Sequence, residues 1–270
     1  MSQLKIVTVI QARTGSTRLP HKVLMSLCGK PLLVRMVERV MSAQLAGTVV
    51  VATSTDKSDN TIEEICKAEG IECFRGELND LLDRHYQTAK KYNADAVAKI
   101  PSDCPLIDPE IIDKVFKFYI DNIDKYDFVS NLHPATYPDG NDVEIMSLKT
   151  IETAWKEAER KLEREHTTPF IWENPEKFRI GNVLWETGFN YSAKHRWTID
   201  YEEDYIFIRT VYEELYKKNP KFSINNILNL LKDKPFIYDI NSRYIGKYWY
   251  ENHLEELNQI DDYKKELKKS

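Results

Sequence analysis

The sequence has no excess of basic charge: 38 Lys and Arg stand against 43 Asp and Glu, a net charge of −5. Phosphate polymers and anionic membranes attract basic faces, so no nucleic-acid polymer and no membrane is expected as a partner. No stretch approaches the roughly 20 apolar residues of a membrane span, and the N-terminus enters a strand pattern without a cleavable apolar segment. Cysteine is scarce. The four present, Cys28, Cys66, Cys73 and Cys104, form no C-x-x-C pair. Reduced structural thiols in a cytoplasmic protein are expected; a zinc site from Cys66, Cys73 and a histidine would match no common ligand spacing. Internal repeats and low-complexity linkers are absent, which leaves one large α/β domain or one domain with an appendage.

Both standard glycine-rich phosphate loops are missing too. Gly29-Lys30 is followed by Pro31, which breaks the Walker A pattern, and Gly15 stands alone where a dinucleotide fingerprint needs three glycines.

What is present is alternation. Strands are predicted at residues 5–10, 48–54, 71–74 and 96–100, with helices at 31–43, 60–69 and 81–92 between them. Short connections between alternating β and α elements predict a parallel sheet covered on both faces, with ligands at the carboxyl ends of its strands. From about residue 128 the pattern loosens. Short strands are expected at 128–130, 143–145, 178–183 and 196–199, and helices at 148–163 and 202–216. The domain reading is a main unit over 1–218, with acceptor and dimerisation elements within about 128–200, and a helical extension over 219–270. In that extension Tyr248, Trp249, Tyr250 and Leu254 would pack on the main domain or on a second subunit. The charged run 261–270 reads as a solvated end.

The first loop is the most informative stretch. IQARTGSTRLPHKVL, residues 10–24, sets Arg13, Arg18 and Lys22 among Gly, Ser, Thr and Pro directly after the first strand. Backbone N–H groups of such a turn approach phosphate oxygens, and fixed cations neutralise a triphosphate. A triphosphate implies Mg²⁺, which takes one or two carboxylates and fills its other positions with water and phosphate. Two lone aspartates suit it. Asp103 follows the 96–100 strand between Pro101 and Pro105, and Asp200 ends HRWTID, residues 195–200. Asp204 is the weaker alternative to Asp200. A turn or cap role is the plain explanation of each.

The run Ala12-Arg13, Ser16-Thr17-Arg18-Leu19-Pro20-His21-Lys22-Val23-Leu24, Gly29-Lys30-Pro31-Leu32 resembles the N-terminal signature of CMP-sugar synthetases. It is most similar to the spore-coat-polysaccharide (SpsF-like) and 3-deoxy-manno-octulosonate cytidylyltransferases. Asp103-x-Pro105-Leu106-Ile107 and Trp197-Thr198-x-Asp200 resemble that family's metal-binding segments. Two departures are visible: His21 where the family usually has Gly, and Pro101-Ser102 where it often has Gln-Gly.

The resemblance implies a doubly wound, mostly parallel sheet of the nucleotide-diphospho-sugar transferase (GT-A-like) type, with a small β insertion and a helical tail. It implies transfer of CMP from CTP to an acidic sugar, with Mg²⁺ on Asp103 and Asp200 and Arg13, Lys22, Asp103 and Asp200 as catalytic residues. The nucleotide would meet Ala12, Arg13, Gly15, Ser16, Arg18, Lys22, Arg75, Ser102 and Asp103. Arg75 stands where the cytosine pocket is expected. From the residues alone, Asp80, Asp83 and Arg84 could equally read base and ribose, or simply cap a helix and form surface ion pairs. An anionic acceptor would meet Asp142, Glu144, Arg164, His166 and Arg196. His133 and His195 are further candidates. A homodimer is expected. Three alternatives remain at this stage: a small phosphorylated acceptor, a GT-A-fold glycosyltransferase, and a non-catalytic nucleotide-binding module. The second conflicts with Asp103-Cys104-Pro105, since such enzymes usually carry Asp-x-Asp at that place.

Overall fold

The computed structural model describes residues 4–246. Strand β1 (Ile6–Gln11) is buried over its first five residues, as a strand covered on both faces must be. A two-residue hairpin follows, β2 (Ser26–Leu27) and β3 (Lys30–Pro31), and then α1 (Leu32–Met41). Next come β4 (Thr48–Ser54), α2 (Asn60–Glu69), β5 (Glu72–Gly76), α3 (Leu81–Lys91) and β6 (Ala96–Pro101). These match the expected alternation to within two residues at each end. The side chain of Asp80 caps α3, and that of Asp108 caps α4 (Pro109–Asp121), which has Pro at its first turn.

The second half adds β7 (Phe128–Ser130), β8 (Glu144–Ser147), α5 (Leu148–Glu157), α6 (Lys161–His166), α7 (Pro169–Trp172), β9 (Ile180–Asn182) and α8 (Glu202–Leu215). Two expectations are corrected here. The helix expected over 148–163 is two helices: Ala158 is extended (ψ 121°), and Glu163 turns its carboxylate back to the N–H groups of Glu159 and Arg160, starting α6 afresh. The strand expected over 196–199 is an extended segment joined by a single bridge, Asp139 to Arg196.

The main sheet runs β5-β4-β1-β6-β8-β7-β9, with only β8 antiparallel to its neighbours. The chain moves from β1 outward to β4 and β5, then crosses back to place β6 on the other side of β1. That reversal opens a crevice beyond the carboxyl ends of β1 and β6. The register sets Gln11 level with Pro101, so the loops leaving both strands begin side by side.

One apolar core lies on each face of the sheet. Helices α9 (Ile224–Asp233) and α10 (Pro235–Asp239) send Ile224, Ile227, Leu231 and Ile237 into the first of them, so residues 219–246 pack against the main unit. Arg39 anchors this: it is buried, donates to the carbonyls of Ile107 (2.7 Å) and Phe222 (2.8 Å), and lies over the Phe222 ring. Tyr248, Trp249, Tyr250, Leu254 and the charged run lie outside the described residues. No helix among the described residues is long and apolar enough to cross a membrane.

Candidate active site

The crevice is a cavity of about 490 Å³. Its floor begins with the loop after β1, and that loop is held from below. Thr14 donates both its backbone N–H and its hydroxyl to Asp59 Oδ1 at 2.8 Å, and Ser54 donates to Asp59 Oδ2. Asp59 is buried; burial pushes its pKa up, but these hydrogen bonds outweigh it and keep the carboxyl below its usual value. His21 closes the loop with φ 58°, a left-handed conformation that glycine adopts most cheaply. A glycine, which the resemblance led one to expect at this position, would suit that backbone. The loop keeps its turn with a histidine there, and its N–H bonds the Thr14 carbonyl at 3.0 Å. If the loop holds a nucleotide's phosphates, as its cations lead one to expect, Asp59→Ala should raise the KM for that nucleotide about tenfold with a smaller change in kcat, because it loosens the loop from below. An unchanged KM in steady-state kinetics would contradict this role.

Lys22 joins the two halves of the site. Its Nζ donates to Ile199 O (2.6 Å) and Asp200 Oδ1 (3.1 Å) and lies 3.8 Å from Asp103 Oδ2. Arg18 also reaches Asp200 Oδ1 at 3.1 Å. Asp103 and Asp200, 97 positions apart in sequence, thus meet at one ammonium. The backbone makes this possible. The Asp103 carbonyl accepts from Ile199 N–H (2.9 Å) and the Thr198 hydroxyl (3.1 Å), and Trp197 N–H donates to Asp139 O at 2.7 Å. Gly140 permits the close approach: a Cβ there would lie 2.7 Å from the Trp197 carbonyl carbon.

Asp200 is fixed by a further buried pair. Arg196 donates through Nε and one terminal nitrogen to both oxygens of Asp204 at 3.0 Å, and reaches Asp200 Oδ2 at 3.2 Å. Asp204 also accepts from the N–H groups of Asp200 and Tyr201 and from the Asn241 amide. Asp204 is therefore a structural acceptor, and the alternative that made it a metal ligand is set aside. Burial raises the Asp200 pKa, but Lys22 and Arg18 dominate and hold it down to about 2. It stays ionised through the physiological range.

The β6–β8 side of the cavity is acidic. Glu144 on β8 lies opposite Lys99 on β6 and pairs with its Nζ at 2.5 Å. Asp142 is pushed up to about 7, first by burial and then by the charges of Asp103 and Glu144. Asp139 is also pushed up, by burial and by Asp142. Unfolded Asp titrates near 3.9, so folding favours the protonated Asp142; that contribution is complete below about pH 4 and lost as pH rises through about 7. Asp142→Asn should therefore flatten a fall in melting temperature that the natural protein shows between about pH 4 and 7. Parallel profiles would refute it.

These residues suit a divalent cation. Asp103 and Asp200 offer two oxygen ligands, in keeping with the few that Mg²⁺ takes from protein. Burial lifts Asp142 first and the charges of Asp103 and Glu144 add to it; a cation beside Asp103 would relieve that second part.

Of the sequence-predicted residues, Ala12, Arg13, Ser16, Arg18, Lys22, Ser102, Asp103, Asp142, Glu144, His166, Arg196 and Asp200 line the cavity. Gly15 and two arginines do not. Arg75 is turned away: it donates to the carbonyls of Ser54 and Asp56 (both 2.8 Å) and pairs with Glu63. Arg164 pairs with Asp80 and donates to Trp155 O at 2.7 Å, so it braces α6 against the start of α3. His133, one of the further candidates, also lines the cavity, and burial holds it neutral with a pKa of about 4. The cavity has residues that sequence reasoning did not assign as well, notably Lys99 and Trp172, whose ring lies tilted against His133 at 4.8 Å.

Comparison with known proteins agrees with this architecture. The protein MJ1063 of Methanocaldococcus jannaschii is 36% identical over 241 residues, 88% of this chain and 95% of its own length. The spore coat polysaccharide biosynthesis protein SpsF of Bacillus subtilis is 29% identical over 235 residues, 85% and 95% of the two chains. Among solved structures, a cytidylyltransferase from Leptospira borgpetersenii superposes with a TM-score of 0.82 at 34% identity, covering 87% of this chain and 97% of that one. A CMP:2-keto-3-deoxy-manno-octonic acid synthetase in complex with CTP shares the fold, with a TM-score of 0.60 at 17% identity, over 78% of this chain and 99% of that one. The sequence pattern of the cytidylyltransferases runs through residues 7–269, and the chain belongs to that family.

Proposed function

We propose that the protein transfers CMP from CTP to an acidic sugar and releases pyrophosphate. One observation carries the reading: a single ammonium, Lys22 Nζ, touches both Asp103 and Asp200 at the mouth of a loop bearing Arg13 and Arg18. Arg13, Ser16 and Lys22 bind the triphosphate and disperse the charge that builds on departing pyrophosphate. Arg18 and Arg196 hold Asp200 in place. Asp103 and Asp200 would hold Mg²⁺, which when bound neutralises phosphate charge and acidifies a coordinated hydroxyl. The acceptor lies on the β6–β8 side, where Lys99 and His166 offer polar contacts and Trp172 an apolar face for a sugar ring. The acidic-sugar reading is supported by the names of relatives, among them 3-deoxy-manno-octulosonate cytidylyltransferases.

The test is a panel of four nucleoside triphosphates against acidic sugars and small phosphorylated acids, with pyrophosphate as readout. Mg²⁺-dependent pyrophosphate from CTP and a sugar acid is expected; pyrophosphate only with phosphorylated acids would replace the acceptor, and none with any pair would reject the reaction. Leu184 and Phe189, exposed near the stacked Tyr137 and Trp185, support a homodimer. Sedimentation at the mass of one chain would reject that part.

A further inference from the structure

Arg75, expected at the nucleobase, is spent elsewhere, and the cavity contains a different guanidinium. Arg84 is 1% exposed yet lines the cavity beside Asn79 and Leu81. Its Nε donates to Glu77 O at 3.0 Å and one terminal nitrogen to Leu78 O at 2.9 Å. Among the described residues the other terminal nitrogen has no hydrogen-bond partner, and no carboxylate forms an ion pair with Arg84. That nitrogen is not sealed in by protein either, since it is absent from the enclosed unpartnered atoms. A guanidinium removed from water without a direct ion pair is costly, and burial lowers its pKa to about 10 although Asp59, Asp80 and Asp83 act the other way.

The side chain is held rigidly. Arg84 N–H bonds Asp80 O at 3.1 Å in the first turn of α3, and Asp80 itself is pinned by Arg164. Gly76 leaves room beneath it: a Cβ there would lie 3.2 Å from Arg84 Cγ and 3.0 Å from the Phe74 ring.

Its place along the cavity separates it from the phosphate end. The charged groups acting on Arg84 are Asp59, Arg13, Asp80 and Asp83, whereas those acting on Asp200 include Lys22 and Arg18. Arg13, on the loop after β1, is among the charges that act on Arg84, and all three arginines and Lys22 line the one cavity. On the reading proposed above, a triphosphate held by Lys22 and Arg18 would extend toward Arg13 and its nucleoside toward Arg84. Cytosine presents two adjacent acceptors there, O2 and N3; uracil replaces the second with an N–H donor. A fixed N–H donor accepts the first pattern and opposes the second.

We propose that Arg84 is the specificity-determining residue of the nucleobase subsite, its open guanidinium nitrogen donating to O2 and N3 of cytosine. The proposal rests on the CTP reading above. It is tested on the full chain by calorimetric binding of CTP and UTP with Mg²⁺ and no acceptor, for the natural protein and for Arg84→Gln and Arg84→Lys. Expected are a CTP preference of at least about tenfold in the natural protein and its collapse toward unity in Arg84→Gln, through weaker CTP binding. Arg84→Lys, which keeps a cation, should recover part of the preference. Equal losses for CTP and UTP would make Arg84 a phosphate contact and overturn the proposal, as would an unchanged ratio. Should both variants fail to fold, 3-deaza-CTP, which lacks N3, decides on the natural protein: binding as weak as UTP supports the proposal, and binding as tight as CTP overturns it. Pyrophosphate release from CTP with a ratio indifferent to Arg84 would sink this inference alone. Arg84-dependent CTP preference without any turnover would sink the proposed reaction and leave this inference standing.

Discussion

Asp103→Asn is expected to lower the rate of CMP transfer by at least about 10³-fold while moving the melting temperature by no more than about 2 °C. The two halves have separate causes. The Asp103 carboxylate is about one-third exposed to the cavity and touches Lys22 only at 3.8 Å, so the fold leans on it little. Its backbone carbonyl, which stitches in Thr198 and Ile199, is unaffected by the substitution. The amide removes a negative charge where a cation and a transferring phosphate must be balanced, and a neutral oxygen is a poor ligand for Mg²⁺. Kinetics of pyrophosphate release beside a thermal melt would separate the two. A variant with more than about a tenth of the natural rate, or one that melts far lower, would reject the assignment.

Asp204→Ala carries the largest expected effect on stability, about 3–5 kcal/mol, or roughly 10 °C in melting temperature. Asp204 is fully buried and accepts from the Arg196 guanidinium, two backbone N–H groups and the Asn241 amide. Its removal takes from the buried Arg196 the carboxylate that accepts from two of its nitrogens, leaving the longer contacts to Asp200 (3.2 Å) and Asp139 (3.8 Å), and unties the N–H groups of Asp200 and Tyr201. The double variant Arg196→Met with Asp204→Leu should recover much of the loss, because it removes the under-compensated charge as well. Additive destabilisation in that double variant would show that the pair is not the source of the effect.

The fold was legible because its signals are local. Alternating strand and helix patterns set the sheet, and Asp80 stood as a cap candidate before α3. The helix α4, capped by Asp108 with Pro109 in its first turn, was not read. The extended segment 196–199 looked like a strand because Arg-Trp-Thr-Ile suits one; its backbone instead serves Asp103 and Asp139, partners that no periodicity reveals. The site was half legible. Arg13, Lys22, Asp103 and Asp200 stand at loop starts and strand ends, where chemistry is expected in an open α/β sheet. Asp59 was not singled out and Asp204 stood only as the weaker metal candidate beside an acidic helix start; the folded chain shows them supporting the loop and Asp200. On paper Arg75 was given to cytosine, Arg164 to the acceptor, and Arg84 only to a choice between base, ribose and a surface ion pair. Which arginine faces the cavity depends on which carbonyls and carboxylates lie within reach of the others, and that is a property of packing.

The most direct test of the central claim follows the α-phosphate. CTP labelled at that position is incubated with Mg²⁺, a sugar acid and either the natural protein or Lys22→Met, which lacks the ammonium shared by Asp103 and Asp200. Label appearing in the sugar product with unlabelled pyrophosphate, from the natural protein and not from the variant, is the predicted result. Label retained in CTP, released as CDP, or transferred equally well by the variant would contradict the account.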